Sequence, residues 1–170
     1  AWAFLATLYE AAGRKTEEID ALRKWVSSAP AIETQFYRAA LGRTDSLTVE
    51  TASLRLGKAL IVADKPDDAL AVLGNLVADD PSNAAAIDLL GDALSQAGDA
   101  AVRSATDNLR QAAYAEPSNL RLIELLLGIF ERSGATGEAV ALLQRSAELT
   151  AKGDPMTNAR LLIELGDLYR

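Results

Sequence analysis

The stretch Ala-Asp-Asp-Pro-Ser-Asn-Ala-Ala-Ala-Ile-Asp-Leu-Leu, residues 78–90, returns as Ala-Tyr-Ala-Glu-Pro-Ser-Asn-Leu-Arg-Leu-Ile-Glu-Leu-Leu at 113–126, in register from Pro81 and Pro117 onward and 36 residues apart. Self-similarity at a period in the thirties marks one supersecondary unit stacked on copies of itself, none able to bury its apolar face alone. The expected architecture is an all-α solenoid, and the function class that goes with it is binding.

Working outward, Ala86, Ile87, Leu89, Leu90, Ala93, Leu94 and Ala97 recur at steps of three and four, which lays one apolar stripe along a helix over 83–97. Gly98 ends it. A second helix is predicted over 102–115, with Ala105, Leu109, Ala112 and Ala113 inward and Pro117 as its stop. The pattern of two antiparallel helices and a short turn repeats at 48–63 with 66–79, and at 119–133 with 136–150.

Composition agrees. Of 170 residues 49% are hydrophobic but only 5% aromatic, so the apolar content is mainly Ala and Leu, both strong helix formers. A chain of this size buries roughly 70% of its unfolded surface, enough for one substantial core. The formal net charge of −7 argues against sequence-independent nucleic-acid binding, which needs a basic face, and favours a neutral or basic partner. With neither Cys nor His in the chain, thiolate nucleophiles, histidine bases, the usual zinc sites and disulfides are all removed. No apolar run approaches the ~20 residues of a membrane span, so no membrane insertion is expected.

Gly57 and Gly91 lie 34 residues apart inside helical patterns, and Gly166 has the same Leu-Gly setting. A helix-interior glycine costs about 1 kcal/mol relative to Ala, so each is expected to permit close approach of the partner helix in its hairpin.

With these residues the chain resembles the tetratricopeptide repeat family, whose 34-residue unit carries a large apolar residue, Leu-Gly, Tyr, a later Ala, a large apolar residue, Ala and Pro. Trp2, Leu5, Ala6, Tyr9, Gly13, Leu22 and Pro30 match in a first unit, with Glu18 where the family prefers Ala. Ser53, Leu56, Gly57, Leu60, Ala69, Leu73, Leu76 and Pro81 match in a second. The third has Ile87, Leu90, Gly91, Leu94, Gly98, Ala105, Leu109, Ala112 and Pro117, with two residues inserted in the turn. The fourth has Ile123, Leu126, Phe130, Gly134, Ala139 and Leu143, with Leu127 in place of Gly and no closing Pro. Leu162, Leu165, Gly166 and Tyr169 open a fifth.

The resemblance implies a right-handed superhelix of about four and a half repeats in a single domain, spanning 1–30, 47–82, 83–118, 119–154 and the first helix of a further unit at 155–170. Because 1 and 170 both fall inside the pattern, the chain is expected to be a piece of a longer array. Residues 31–46 interrupt it. A short extra helix at 32–41, stopped by Gly42, is predicted there, with Phe36 and Tyr37 filling the irregular joint or lining a pocket.

Stacked hairpins place the first helix of each pair on the concave side, and the resemblance implies that this side receives a peptide or partner protein. The inner positions are then Leu54 and Lys58, with Ile61 and Val62, in the second unit; Asp88 and Asp92 in the third; Glu124 and Glu131 in the fourth; and Asp167 in the fifth. Carboxylates lining one concave face concentrate their field and attract a Lys- or Arg-bearing segment. The same residues are equally the pattern of a solvated helix face, and Arg121, three before Glu124, and Arg160, seven before Asp167, offer local neutralisation. Lys58 and Arg55 beside Asp88 and Asp92 do not form the cationic clamp with which some members of the family hold a C-terminal carboxylate.

Catalysis and cofactors are not expected. Glu17–Glu18 and Asp79–Asp80 are sequence neighbours near helix ends, where acidic residues complement the helix dipole, and there is no phosphate loop or nucleophile motif. The alternative to a binding scaffold is a spacer or oligomerisation segment, as in the long arrays of bacterial envelope-assembly and polysaccharide-secretion proteins that this chain resembles. In that case the apolar face of the last helix would pair two copies.

Overall fold

The computed structural model describes residues 1–28 and 48–169, and the regular structure among them is entirely helical. In chain order the helices are α1 (Trp2–Ala11), α2 (Lys15–Ser27), α3 (Val49–Val62), α4 (Pro66–Asp79), α5 (Ala84–Gln96), α6 (Asp99–Ala115), α7 (Leu120–Ser133), α8 (Thr136–Thr150) and α9 (Pro155–Leu168). Pro30, the helix predicted at 32–41 with Phe36 and Tyr37, and Arg170 lie outside the described residues.

The repeated phrase explains how the helices start. Asn83 caps α5 by accepting from the Ala86 amide at 3.0 Å, and Asn119 caps α7 by accepting from Leu122 at 3.3 Å. Thr48 and Asp154 do the same for α3 and α9, each at 3.1 Å. Each satisfies one of the amides left without a partner in a first helical turn. Pro66 and Pro155 stand at the first helical position, where a missing N–H costs nothing.

Three of the hairpin turns close by one device. After α1, α3 and α7 a residue enters the left-handed region, Gly13 at φ 67°, Asp64 at φ 58° and Gly134 at φ 68°. The next amide reaches back five residues to a carbonyl of the last helical turn: Arg14 to Tyr9 at 2.9 Å, Lys65 to Leu60 at 2.9 Å, Ala135 to Phe130 at 2.8 Å. The α5–α6 turn lacks this. Ala97 and Gly98 are extended, with ψ 156° and 152°, and the Gly98 amide donates to Asp67 Oδ1 at 3.0 Å, at the start of α4. The two residues expected as a turn insertion instead lengthen α6, which begins at Asp99 rather than 102.

Pinned by Asp67, α6 packs closely along α4 and only sparingly on its own hairpin partner α5. This corrects the expectation for the glycines. At Gly57 a Cβ would stand 2.6 Å from Leu73 Cδ2 and 2.7 Å from its Cγ, so α3 and α4 do approach through the missing side chain. At Gly91 the nearest atom is Leu125 Cδ1 at 3.5 Å, an ordinary contact with α7 rather than with α6, and Gly166 has nothing within 4 Å. The close-approach role therefore belongs to Gly57 alone of the three.

One continuous core runs through the described helices. Leu22, Leu56, Leu60, Leu73, Leu90, Leu109, Leu122, Leu126, Leu142 and Leu143 are among its large fully buried members. Polar ties join helices two apart in the chain. Arg55 on α3 meets Glu10 on α1 at 2.8 Å, Arg23 on α2 meets Asp68 on α4 at 2.6 Å, and Arg121 on α7 meets Asp88 on α5 at 3.2 Å. Arg55 also lies over the Trp25 ring, 5.9 Å from its centroid.

Glu18 is half-buried, and its carboxyl is held above the usual range first by desolvation and then by the neighbouring Glu10 charge. A carboxyl whose pKa is raised by folding binds protons more tightly in the folded state, so its contribution to stability falls as pH rises through the window just above the ordinary glutamate value. Glu18→Gln is expected to raise the melting temperature slightly at pH 7. The gain should vanish at acid pH, where the wild-type carboxyl is protonated in both states; a gain of equal size at both pH values would rule out the desolvated charge as its origin.

Candidate functional site

The carboxylates singled out by position lie on α5, α7 and α9. Asp88 and Asp92 are exposed on α5, and Glu124 and Glu131 are exposed on α7. Helices α5 and α7 touch, which brings the two pairs onto neighbouring elements. Arg121 bridges across these helices to Asp88 rather than along its own helix to Glu124. The side chains of Asp92, Glu124 and Glu131 have no hydrogen-bond or ion-pair partner among the described residues. Ser95 and Gln96, one turn further along α5, turn back and donate to the Asp92 carbonyl at 2.7 and 3.2 Å. Asp167 is exposed on α9, which packs closely on α8 alone.

On α3 the predicted group divides. Leu54 and Ile61 are half-buried and packed against the core, whereas Lys58 and Val62 are exposed. Arg55 is engaged by Glu10, Thr7 and the Trp25 ring, so it braces α1 and α2. Among the described residues no group of three or more carboxylates converges as a metal site would require, and no helix is long and apolar enough to cross a membrane.

A second feature was not anticipated. A cleft of about 640 Å³ opens between α6 and the α7–α8 turn. The α6 wall is Asp99, Val102, Arg103, Thr106, Asp107 and Arg110, a run at steps of three and four that forms a single helix face. Close helix packing asks for apolar side chains at such positions, and charged ones hold the next helix off. The signal was present in the sequence, because Asp99, Arg103, Asp107 and Arg110 alternate in sign along one face.

The described residues thus define an all-helical protein with two charged exposed features, a carboxylate face on α5 and α7 and an arginine-bearing cleft behind α6. No protein-family model matches the chain, and no curated protein matches it.

Proposed function

We propose that this chain is a protein-interaction scaffold, a right-handed stack of helix hairpins of the tetratricopeptide type in a single domain, which binds a basic peptide or protein segment. In this reading α1, α3, α5, α7 and α9 line the concave side, and Asp92, Glu124 and Glu131, with Asp88 on α5 and Asp167 on α9, supply the attraction. Leu54 and Lys58 form the less acidic end. The supporting observation is that three exposed carboxylates on two touching helices have no ion-pair partner among the described residues. Charges of one sign left unneutralised on neighbouring elements accelerate and orient the approach of an opposite charge. Neither catalysis nor a cofactor enters this function.

The test is capture from cells that express the protein, at low and at moderate ionic strength, with Asp92→Lys/Glu124→Lys as control and each captured protein then purified and titrated. The expected partner is released by salt and loses at least about tenfold in affinity to the charge-reversed form, while helicity and melting are unchanged. Equal affinity for both forms would remove the acidic face from the function.

One observation favours the spacer or self-association alternative. On α9, Met156, Leu162 and Ile163 are 80%, 52% and 64% exposed, a run of apolar side chains that a second copy could cover. Concentration-dependent dimerisation abolished by Ile163→Glu would support it.

A further inference from the structure

The cleft behind α6 carries an inference of its own, independent of the carboxylate face. Three arginines reach it: Arg103 and Arg110 from α6 and Arg132 from the end of α7. Their states differ. Arg132 donates to the Leu94 carbonyl at 3.2 Å and helps hold α7 to α5. Arg110 pairs with Asp107 through Nη2 at 3.2 Å and lies over the Phe130 ring, 5.9 Å from its centroid, but its Nε is buried with no acceptor. Arg103 is exposed and has no hydrogen-bond or ion-pair partner among the described residues.

The other donors are already engaged. Thr106 gives its hydroxyl to the Val102 carbonyl at 2.8 Å, and Ser133 gives its own to Phe130 at 3.1 Å. What the cleft offers a ligand is therefore guanidinium N–H, beside the half-buried Val102 and the edges of the buried Ile129 and Phe130. A buried N–H without an acceptor is costly, and carboxylate is the group whose geometry matches a guanidinium fork.

Length and charge narrow the ligand. From Asp99 to Arg110 the α6 wall runs about 16 Å, the span of about five extended residues. Asp99, Asp107 and Glu138 share the lining, so a dianion such as phosphate meets about twice the repulsion that a lone carboxylate meets. We propose that the cleft between α6 and the α7–α8 turn binds an extended peptide segment through one acidic side chain on Arg103 and Arg110, with a neighbouring apolar side chain against the half-buried Val102.

The experiment follows the arginine Nε–Hε resonances of the full chain during titration with acetyl-Ala-Leu-Glu-Leu-Ala-amide, with the Glu→Gln peptide, and with inorganic phosphate. The expected result is a saturable shift of the Arg103 and Arg110 signals with the Glu peptide, at least tenfold weaker binding of the Gln peptide, and the same loss in Arg103→Gln. Arg103 is exposed, so that variant keeps the fold intact, as the unchanged remainder of the spectrum would verify. Three results would overturn the proposal: no saturable shift with the Glu peptide, equal binding of the Gln peptide, or phosphate moving the same two signals at lower concentration than the peptide.

Discussion

Gly57→Val is expected to lower the melting temperature by roughly 6–12 °C, the equivalent of about 3 kcal/mol for a chain of this size. The new Cβ would sit 2.6 Å from a Leu73 side chain that is itself fully buried, so neither partner has room to turn away. Valine recovers only a few tenths of a kcal/mol of helix propensity over glycine, which leaves the overlap uncompensated. Leu73→Ala alone should cost about 2–5 kcal/mol through its cavity. The double variant should be less damaged than the sum by at least about 1 kcal/mol, since the valine fills part of that space. Additive costs in thermal melts would show that the two residues do not meet. Gly91→Ala is the control: its Cβ meets only Leu125 at 3.5 Å, so it should gain up to about 1 kcal/mol from helix propensity.

Replacing Asn119 is expected to have the next largest effect, because one side chain performs two tasks. Its Oδ1 caps α7, and its Nδ2 donates to the Pro81 carbonyl at 2.6 Å, just ahead of α5. Asn119→Ala removes both and should cost about 2 kcal/mol in urea unfolding, about half from the cap and half from the tie. Asn119→Asp keeps an oxygen for the cap but turns an acceptor toward an acceptor, so it should still cost about 1 kcal/mol or more. Wild-type stability in the aspartate variant would mean that only the cap contributes.

Helix positions were legible because the three-four periodicity of Ala and Leu is strong and the Pro-Ser-Asn phrase announces the starts of α5 and α7. The helix predicted over 83–97 lies at Ala84–Gln96, and that over 119–133 at Leu120–Ser133. The glycines were legible only as a class. Whether a missing side chain is needed depends on where the opposing helix runs, and at Gly91 that is decided remotely, by Asp67 holding the start of α6. The carboxylates of α5 and α7 could be placed on exposed faces from spacing, but the bridge from Arg121 to Asp88 could not, because it joins units rather than turns of one helix. The charged face of α6 was legible as the alternating Asp99, Arg103, Asp107 and Arg110, but that it borders a cleft depends on α6 packing along α4, which no local pattern encodes.

The double duty of the asparagines bears on how such a chain can lengthen. Asn83, like Asn119, opens its own helix and reaches back to the start of the helix two earlier, here to Glu50 at 2.7 Å. Initiation signal and fastening are thus written in the same three letters, Pro-Ser-Asn. Where the acceptor is a backbone carbonyl, as Pro81 is for Asn119, a duplicated segment that carries the phrase brings its own attachment; Asn83 instead needs a side chain such as Glu50 on the unit before it.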